Sequence, residues 1–477
     1  MENNTLAEML RLYSTSGRIP FHMPGHKRSR NYDYLNSLGA ALDITEIDGF
    51  DNLHNASGIL AEGMALLSEV YGSKRSFYLI NGSTGGLLSA VRCAVPFGGE
   101  VIAARNCHKA VYNAMELVGA RPHYIYPPCD ADFRFCLAVT PKSVEDMLAK
   151  YPASKAVILT SPTYDGVVSD IAAIAEICHR RKIPLIVDEA HGAHLGFLDS
   201  KVKSAVTMGA DIVIQSFHKT LPSLTQTAVA HIGGIIISPE KYAAELSVFE
   251  TSSPSYLLMA SLDGCTRLLA EKVRRENFFN KWREVLDDFD TRLPELEKIH
   301  VFMHPYRPCS SVPAYDRSKL VLSGDGITGP AIAEILRKHN IEPEMVSAGY
   351  ALLMTGADTS RKDMDALTDA LKFIERTAKI QTGEKNALVT VPDIHPAQLM
   401  TPFEARQQKT ETVPLDLVPD GAVSADYVFA YPPGIPVITP GEVISHEVRD
   451  VLRQLIAFGL NPSTLHGAFK EELSIIR

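Results

Sequence analysis

Seven apolar runs of strand length limit what this chain can fold into. They are Phe77-Tyr78-Leu79-Ile80, Val101-Ile102-Ala103-Ala104, His123-Tyr124-Ile125-Tyr126, Ala156-Val157-Ile158-Leu159, Leu185-Ile186-Val187, Ile212-Val213-Ile214 and Gly233-Gly234-Ile235-Ile236-Ile237. Segments with helical apolar spacing lie between most of them, such as Ile171 to Arg181, and one more, Ile59 to Tyr71, precedes them and stops at Gly72. Unbroken apolar strands alternating with helices are buried on both faces. The spacing therefore predicts an α/β fold with a mainly parallel seven-stranded sheet and helices on both sides. Ligands of such sheets sit beyond the carboxyl ends of the strands.

Two of those ends carry a pair of charges suited to one cofactor. Asp211-Ile212-Val213-Ile214 runs into Gln215-Ser216-Phe217-His218-Lys219-Thr220, and Leu185-Ile186-Val187 runs into Asp188-Glu189-Ala190-His191-Gly192. A lysine amine forms a Schiff base with an aldehyde cofactor. A carboxylate keeps the ring nitrogen of pyridoxal phosphate protonated, which makes the ring an electron sink. Alone, Lys219 also reads as a surface lysine and Asp188 as a helix cap. A third strand end favours the pair: Phe77 to Ile80 leads into Asn81-Gly82-Ser83-Thr84-Gly85-Gly86. Glycine lets backbone N–H groups approach an anion, hydroxyls add donors, and a helix start favours negative charge. The same residues also suit a tight turn with Ser83 or Thr84 as cap. After the next strand, Arg105-Asn106-Cys107-His108-Lys109 offers a His that either caps a helix or stacks on a planar ring. Thr160-Ser161-Pro162-Thr163-Tyr164-Asp165-Gly166 is another strand-end loop, read as cofactor wall.

Charge and cysteine usage narrow the partners. The 477 residues suggest two or three domains, and the formal net charge of −9 argues against nucleic acid or an anionic membrane surface. No apolar run approaches a membrane span, and Met1-Glu2-Asn3-Asn4-Thr5 lacks the features of a signal peptide. The seven Cys are scattered without a CxxC pair, which fits reduced cytoplasmic thiols; Cys107 reads as a small buried filler. His22 and His26 in the extended arm Ile19 to Arg28 have no carboxylate at ligand spacing, so no metal is expected.

Taken together, Asn81 to Gly85, Arg105 to Lys109, Asp188 to Gly192 and Ser216 to Thr220 resemble the Orn/Lys/Arg decarboxylase family. So do the arm Phe21-His22-Met23-Pro24-Gly25-His26-Lys27 and the late motif Tyr431-Pro432-Pro433-Gly434-Ile435-Pro436 to Pro440-Gly441-Glu442. The resemblance covers nearly the whole chain, in the short form without the response-regulator-like N-terminal domain. It implies pyridoxal phosphate (PLP) fold type I, with smaller α/β C-terminal domains. By motif, Lys219 would be the Schiff-base lysine and Asp188 the pyridinium partner. His108 would stack on the ring, and His191 would lie near its phenolic oxygen. Ser83, Thr84, Ser216 and His218 would hold the phosphate, with Gly85 also among the cofactor-binding residues. Ser252, within Thr251 to Ser255, would reach the phosphate of a neighbouring subunit, which implies a homodimer with shared active sites or a higher oligomer. Glu442 reads either as the holder of the substrate's distal cation or as a first-turn carboxylate of the following helix.

The implied reaction is PLP-dependent decarboxylation of a basic amino acid to its amine and CO2. Arginine is favoured over lysine or ornithine, with Lys219 or His218 as the proton donor to Cα. The alternatives are an aminotransferase or lyase on the same fold, and a non-catalytic PLP-binding regulator. The stretch Tyr350 to Met354 lacks the carboxylate-binding Arg of aminotransferases, and no basic winged-helix segment is present. The expected organisation is an arm (1–58), a large PLP-binding domain (59–285), a small α/β domain (286–384) with Lys319 to Leu322 as strand and Pro330 to His339 as helix, and a C-terminal domain (385–477). One long helix is expected from about Leu257 to Leu286.

Overall fold

The computed structural model describes residues 5–29, 31–293, 296–304, 309, 311–377, 394–430, 434–460 and 462–477. Residues 1–4, the 384/385 boundary and positions 431–433 of the late motif lie outside the described residues.

A seven-stranded sheet carries the chemistry. Its strands are β1 (Arg75–Leu79), β2 (Glu100–Ala104), β3 (Arg121–Ile125), β4 (Val157–Thr160), β6 (Leu185–Asp188), β7 (Ile212–Gln215) and β8 (Ala228–Ile232), in the order β1-β8-β7-β6-β4-β2-β3. The two-residue strand β5 (Val167–Val168) pairs outside this sheet, with Ala314–Tyr315. β2 runs parallel to β3 and β4, and β6 parallel to β7. β8 runs antiparallel to both β7 and β1. Every residue of β6, β7 and β8 is buried, as expected for apolar strands covered on both faces.

The seventh strand is not where the apolar pattern puts it. It spans 228–232, and 233–237 instead wraps the buried Asp211. The Asp211 carboxylate accepts from Leu185 N at 3.0 Å and from Ile236 N at 3.1 Å. A Cβ on Gly234 would stand 1.9 Å from Asp211 Oδ1, so only glycine lets the chain pass. The expected long helix is also divided, into Tyr256–Ala270 and Lys272–Asp290, with Glu271 extended between them. Ile59–Tyr71 is helical and ends on Gly72 in the left-handed region, as its sequence requires.

Packing divides the chain into two units, 1–94 with 184–280 and 95–183 with 281–477. In the first, the helix Gly82–Ala94 lies on the sheet. A Cβ on Gly86 would come within 2.6 Å of Leu79 Cδ1 and 3.2 Å of Ile214, so a glycine is needed for this approach. The N-terminal helix Leu6–Ser14 starts on a Thr5–Glu8 capping box, and Leu6 N donates to Asp263 Oδ2 at 2.9 Å.

The second unit contains two further cores. An antiparallel sheet of Met345–Val346, Ala351–Met354, Lys319–Gly324 and Ile299–Val301 packs with the helices Gly329–Lys338 and Arg361–Thr377 around Leu320, Leu322, Ile332, Leu336 and Leu371. Another, around Val437, Ile438, Ile444, Val448 and Leu452, joins the helix His446–Ala457 to the strands Val428–Ala430 and Ile435–Ile438.

Candidate active site

In the first unit, adjacent strand ends bring together most of the residues singled out in the sequence. Asp188 closes β6 and is 2% exposed. Its Oδ1 accepts from Ala190 N at 3.1 Å. Burial pushes its pKa up, and the nearby charge of Lys219 pulls it back. β7 ends at Gln215, and Ser216 then opens the four-residue helix Phe217–Thr220. Two backbone hydrogen bonds tie these ends together: Glu189 N donates to Ile214 O at 2.9 Å and Ser216 N to Ala190 O at 3.3 Å.

Lys219 Nζ reaches His191 Nε2 at 2.9 Å. His218 turns the other way and donates from Nδ1 to Thr227 O at 2.7 Å; burial holds its pKa below the usual histidine value. Ser216 Oγ is buried with no hydrogen-bond partner among the described residues. A buried hydroxyl without a partner is costly, and it points to a polar group that completes it.

The small-residue turn is a helix start, as expected. β1 leads through Ile80 and Asn81 into the helix Gly82–Ala94, with Gly82 at φ +70°. Asn81 is anchored by its Nδ2, which donates to Phe249 O at 2.8 Å. Ser83 is half-buried and Thr84 exposed in the first turn, where the helix leaves its N–H groups without intrahelical acceptors; Gly85 is buried behind them. Ser252 is exposed, next to Thr251, whose carbonyl meets His54 Nε2 at 2.7 Å.

Two buried carboxylates here escaped the sequence reading. Glu250 Oε1 accepts from Ile80 N at 3.3 Å, and burial pushes this carboxyl up to about 7. Glu189 points away from Asp188, because neighbouring residues at a strand end alternate in direction. Its Oε2 accepts from Ser204 Oγ and from Gln215 Nε2, both at 2.6 Å, and its Oε1 from Ala205 N at 2.7 Å. Glu189 stands beside an apolar strand, and Glu250 just past the helix Pro239–Phe249, with nothing but polarity to mark either in the sequence.

The second unit holds the remaining candidates. His108 caps the helix Lys109–Leu117, its Nδ1 accepting from Ala110 N at 3.2 Å, which is one of its two expected roles. Glu442 has no exposed surface. Its Oε2 accepts from Arg105 Nη2 at 3.0 Å and from Thr439 N at 2.8 Å. Arg105 also donates to Pro436 O at 2.8 Å and to Tyr112 Oη at 3.1 Å. Burial opposes its charge, but Glu442 keeps the guanidinium well above its ordinary pKa. Arg105 thus meets one oxygen of Glu442 inside the fold, while Oε1 is buried with no hydrogen-bond partner among the described residues. The loop after β4 is held by Asp165, whose Oδ1 accepts from Tyr350 Oη at 2.6 Å; burial pushes this carboxyl up to about 6. Cys107 is fully buried, as expected of a filler.

Comparison with known proteins agrees with this arrangement. The model of the Orn/Lys/Arg decarboxylase major domain matches residues 4–290, and that of the family's C-terminal domain matches 385–471. An arginine decarboxylase of Bacillus subtilis (strain 168) is 31% identical over 96% of this chain and 95% of its own length. The inducible lysine decarboxylase of Escherichia coli (strain K12) is 22% identical over 98% of this chain and 79% of its own. Among solved structures, a lysine decarboxylase of Francisella novicida shares the fold with a TM-score of 0.82 at 21% identity, covering 99% of this chain and 81% of that one. A serine palmitoyltransferase of Sphingomonas wittichii shares it over 69% of this chain and 80% of its own, with a TM-score of 0.52 at 13% identity. Matched along both of its characteristic domains, and nearly end to end by a decarboxylase relative, the chain belongs to the Orn/Lys/Arg decarboxylase family.

Proposed function

We propose that this protein, a decarboxylase of a basic amino acid by its family, acts on arginine as a cytoplasmic homodimer, with PLP held at Lys219. The observation that carries the cofactor reading is the contact of Lys219 Nζ with His191 Nε2 beside the buried carboxylate of Asp188. The residues present fit PLP. Lys219 supplies the amine for its aldehyde, and Asp188 the anion for its ring nitrogen. Ser216 Oγ, otherwise without a partner, supplies a donor for its phosphate, with the first turn of Gly82–Ala94, Ser83, Thr84 and His218. When bound, PLP supplies a conjugated ring that takes up the electron pair left by the departing carboxylate.

The chain's own residues do the rest. Asp188, buried and backbone-bonded, would set its carboxylate at the strand end, where it need not reorganise during the reaction. His191 orients Lys219 Nζ and can exchange a proton with it. Lys219 is the candidate to return a proton to Cα, with His218 the second, although its Nδ1 is engaged by Thr227 O.

Arginine is favoured by the nearly full-length similarity to arginine decarboxylases of Bacillus subtilis and Halalkalibacterium halodurans, both at 31% identity. The dimer is favoured by the exposed Ile19 and Phe21 of the arm (77% and 92% exposed) and by the exposed Ser252. Among the described residues no helix is long and apolar enough to cross a membrane.

The decisive experiment incubates purified protein and PLP with arginine, lysine and ornithine separately, and measures CO2 and amine. Arginine should turn over fastest. Faster release from lysine or ornithine would overturn the substrate, and a keto acid in place of CO2 would overturn the reaction.

A further inference from the structure

On the face of the sheet opposite Asp188, four strands share one buried polar chain. Ser73 Oγ lies 2.8 Å from Ser76 Oγ on β1, and Ser76 Oγ lies 2.8 Å from His231 Nδ1 on β8. His231 Nε2 lies 3.2 Å from Gln215 Oε1 on β7, and Gln215 Nε2 donates to Glu189 Oε2 at 2.6 Å just beyond β6. Ser76, His231, Gln215 and Glu189 are each at most 1% exposed. The ring of Tyr71 lies against His231, centroids 4.5 Å apart, and Tyr71 Oη donates to Ala193 O at 2.6 Å.

The donors and acceptors fit one assignment. A carboxylate only accepts, and Glu189, whose carboxyl is pushed up to about 7 by burial, when ionised takes Ser204 Oγ, Ala205 N and Gln215 Nε2. Gln215 must then present its oxygen to His231, whose Nε2 carries the proton, so Nδ1 accepts from Ser76. Burial keeps His231 neutral, its pKa pushed down to about 3. The chain is therefore directional, and it ends in two residues adjacent in sequence to the candidate site. Glu189 follows Asp188, and Gln215 precedes Ser216.

We infer that Glu189 and Gln215 are positioning residues, which from the reverse face hold the strand ends bearing Asp188 and Lys219 at a fixed spacing. Backbone bonds from Glu189 N to Ile214 O and from Ser216 N to Ala190 O close the joint, and the Gln215–Glu189 bond locks it from behind. The inference rests on reading Asp188 and Lys219 as the cofactor residues. It assigns to Glu189 and Gln215 no contact with substrate or cofactor.

Glu189→Gln and Glu189→Leu separate positioning from simple support. The amide of Glu189→Gln keeps the acceptor for Ala205 N. Its NH2 is accommodated if Gln215 turns over and the proton of His231 moves from Nε2 to Nδ1. Glu189→Gln should therefore keep turnover within about threefold of wild type, and nitrogen NMR of labelled histidine should show the His231 tautomer exchanged. Glu189→Leu should lower kcat by roughly tenfold or more with KM within twofold. It should also shift the pH titration of the bound cofactor's absorbance and speed hydrogen exchange at 188–193 and 216–220. Should Glu189→Leu not fold, Gln215→Leu and His231→Phe carry the same expectations. A folded Glu189→Leu protein, or either substitute, that melts earlier yet keeps wild-type kcat and absorbance titration overturns the positioning role. If wild-type protein shows no absorbance from a cofactor bound to Lys219, it is the cofactor reading that fails; the histidine tautomers and exchange rates still test the lock itself.

Discussion

Lys219 Nζ stands 2.9 Å from His191 Nε2, one residue in the four-residue helix after β7 and the other on the turn after β6. The pair shares one hydrogen bond, so the amine is held in place by a group that can take or give its proton. Lys219→Ala should therefore abolish decarboxylation, by roughly a thousandfold or more, since it removes both the amine and the proton route. Borohydride should fix PLP to the peptide containing Lys219 in the wild-type protein and to no peptide in the variant. Labelling of another lysine would move the assignment.

Asp188→Asn keeps shape and the bond from Ala190 N but removes the charge. Turnover should fall roughly 100-fold or more, the scale of a lost preorganised electrostatic contact. PLP should still bind, because the helix start and Lys219 do not depend on that charge. Near-normal turnover with full cofactor occupancy would reduce Asp188 to a structural cap.

Glu442→Ala leaves Arg105 buried and unpaired. Removing one partner of such a pair costs about 3–5 kcal/mol, which denaturant unfolding would measure. Glu442→Gln should be milder and leave the KM for arginine within about twofold. A KM raised tenfold or more with stability unchanged would return Glu442 to the substrate.

Asp165 gives stability a pH signature. Its carboxyl is raised from 3.8 to about 6 by burial, so its contribution is complete below the unfolded value and lost as pH rises through about 6. The full span is about 3 kcal/mol. Asp165→Asn lacks this titration and can still accept from Tyr350. The stability of the variant relative to wild type should therefore rise between about pH 4 and 7. A flat difference across that range would show that Asp165 titrates normally.

What the sequence made legible follows from where its signals lie. Lys219, Asp188 and the Gly82 turn were readable because each stands just past an apolar run, and strand ends are where ligands of such sheets bind. β8 was misplaced because Ile235-Ile236-Ile237 imitates a buried strand, whereas the true strand carries the polar His231, whose ring nitrogens meet Gln215 and Ser76 from other strands. The break at Glu271 has no glycine or proline to announce it. Glu189 and Gln215 were passed over for the same reason as His231: a polar residue beside an apolar run gains its meaning from a partner tens of residues away. Glu442 was readable as a carboxylate near a turn, but the partner that uses its charge, Arg105, is more than three hundred residues earlier.

The antiparallel pairing of β1 with β8 has a consequence for how the molecule is made. β1 ends at Leu79, and the strand that pairs with it begins at Ala228, about 150 residues later. At ribosomal rates of about 5–20 residues per second, the nascent apolar strand waits roughly seven to thirty seconds before its partner is even synthesised. Until residue 219 is made, near the end of that interval, the chain lacks Lys219, and with it the amine that would capture cofactor. A ribosome-stalled chain ending before residue 219 should thus engage chaperones at 75–80 and stay colourless with PLP, and full colour should appear only once β8 has also been added.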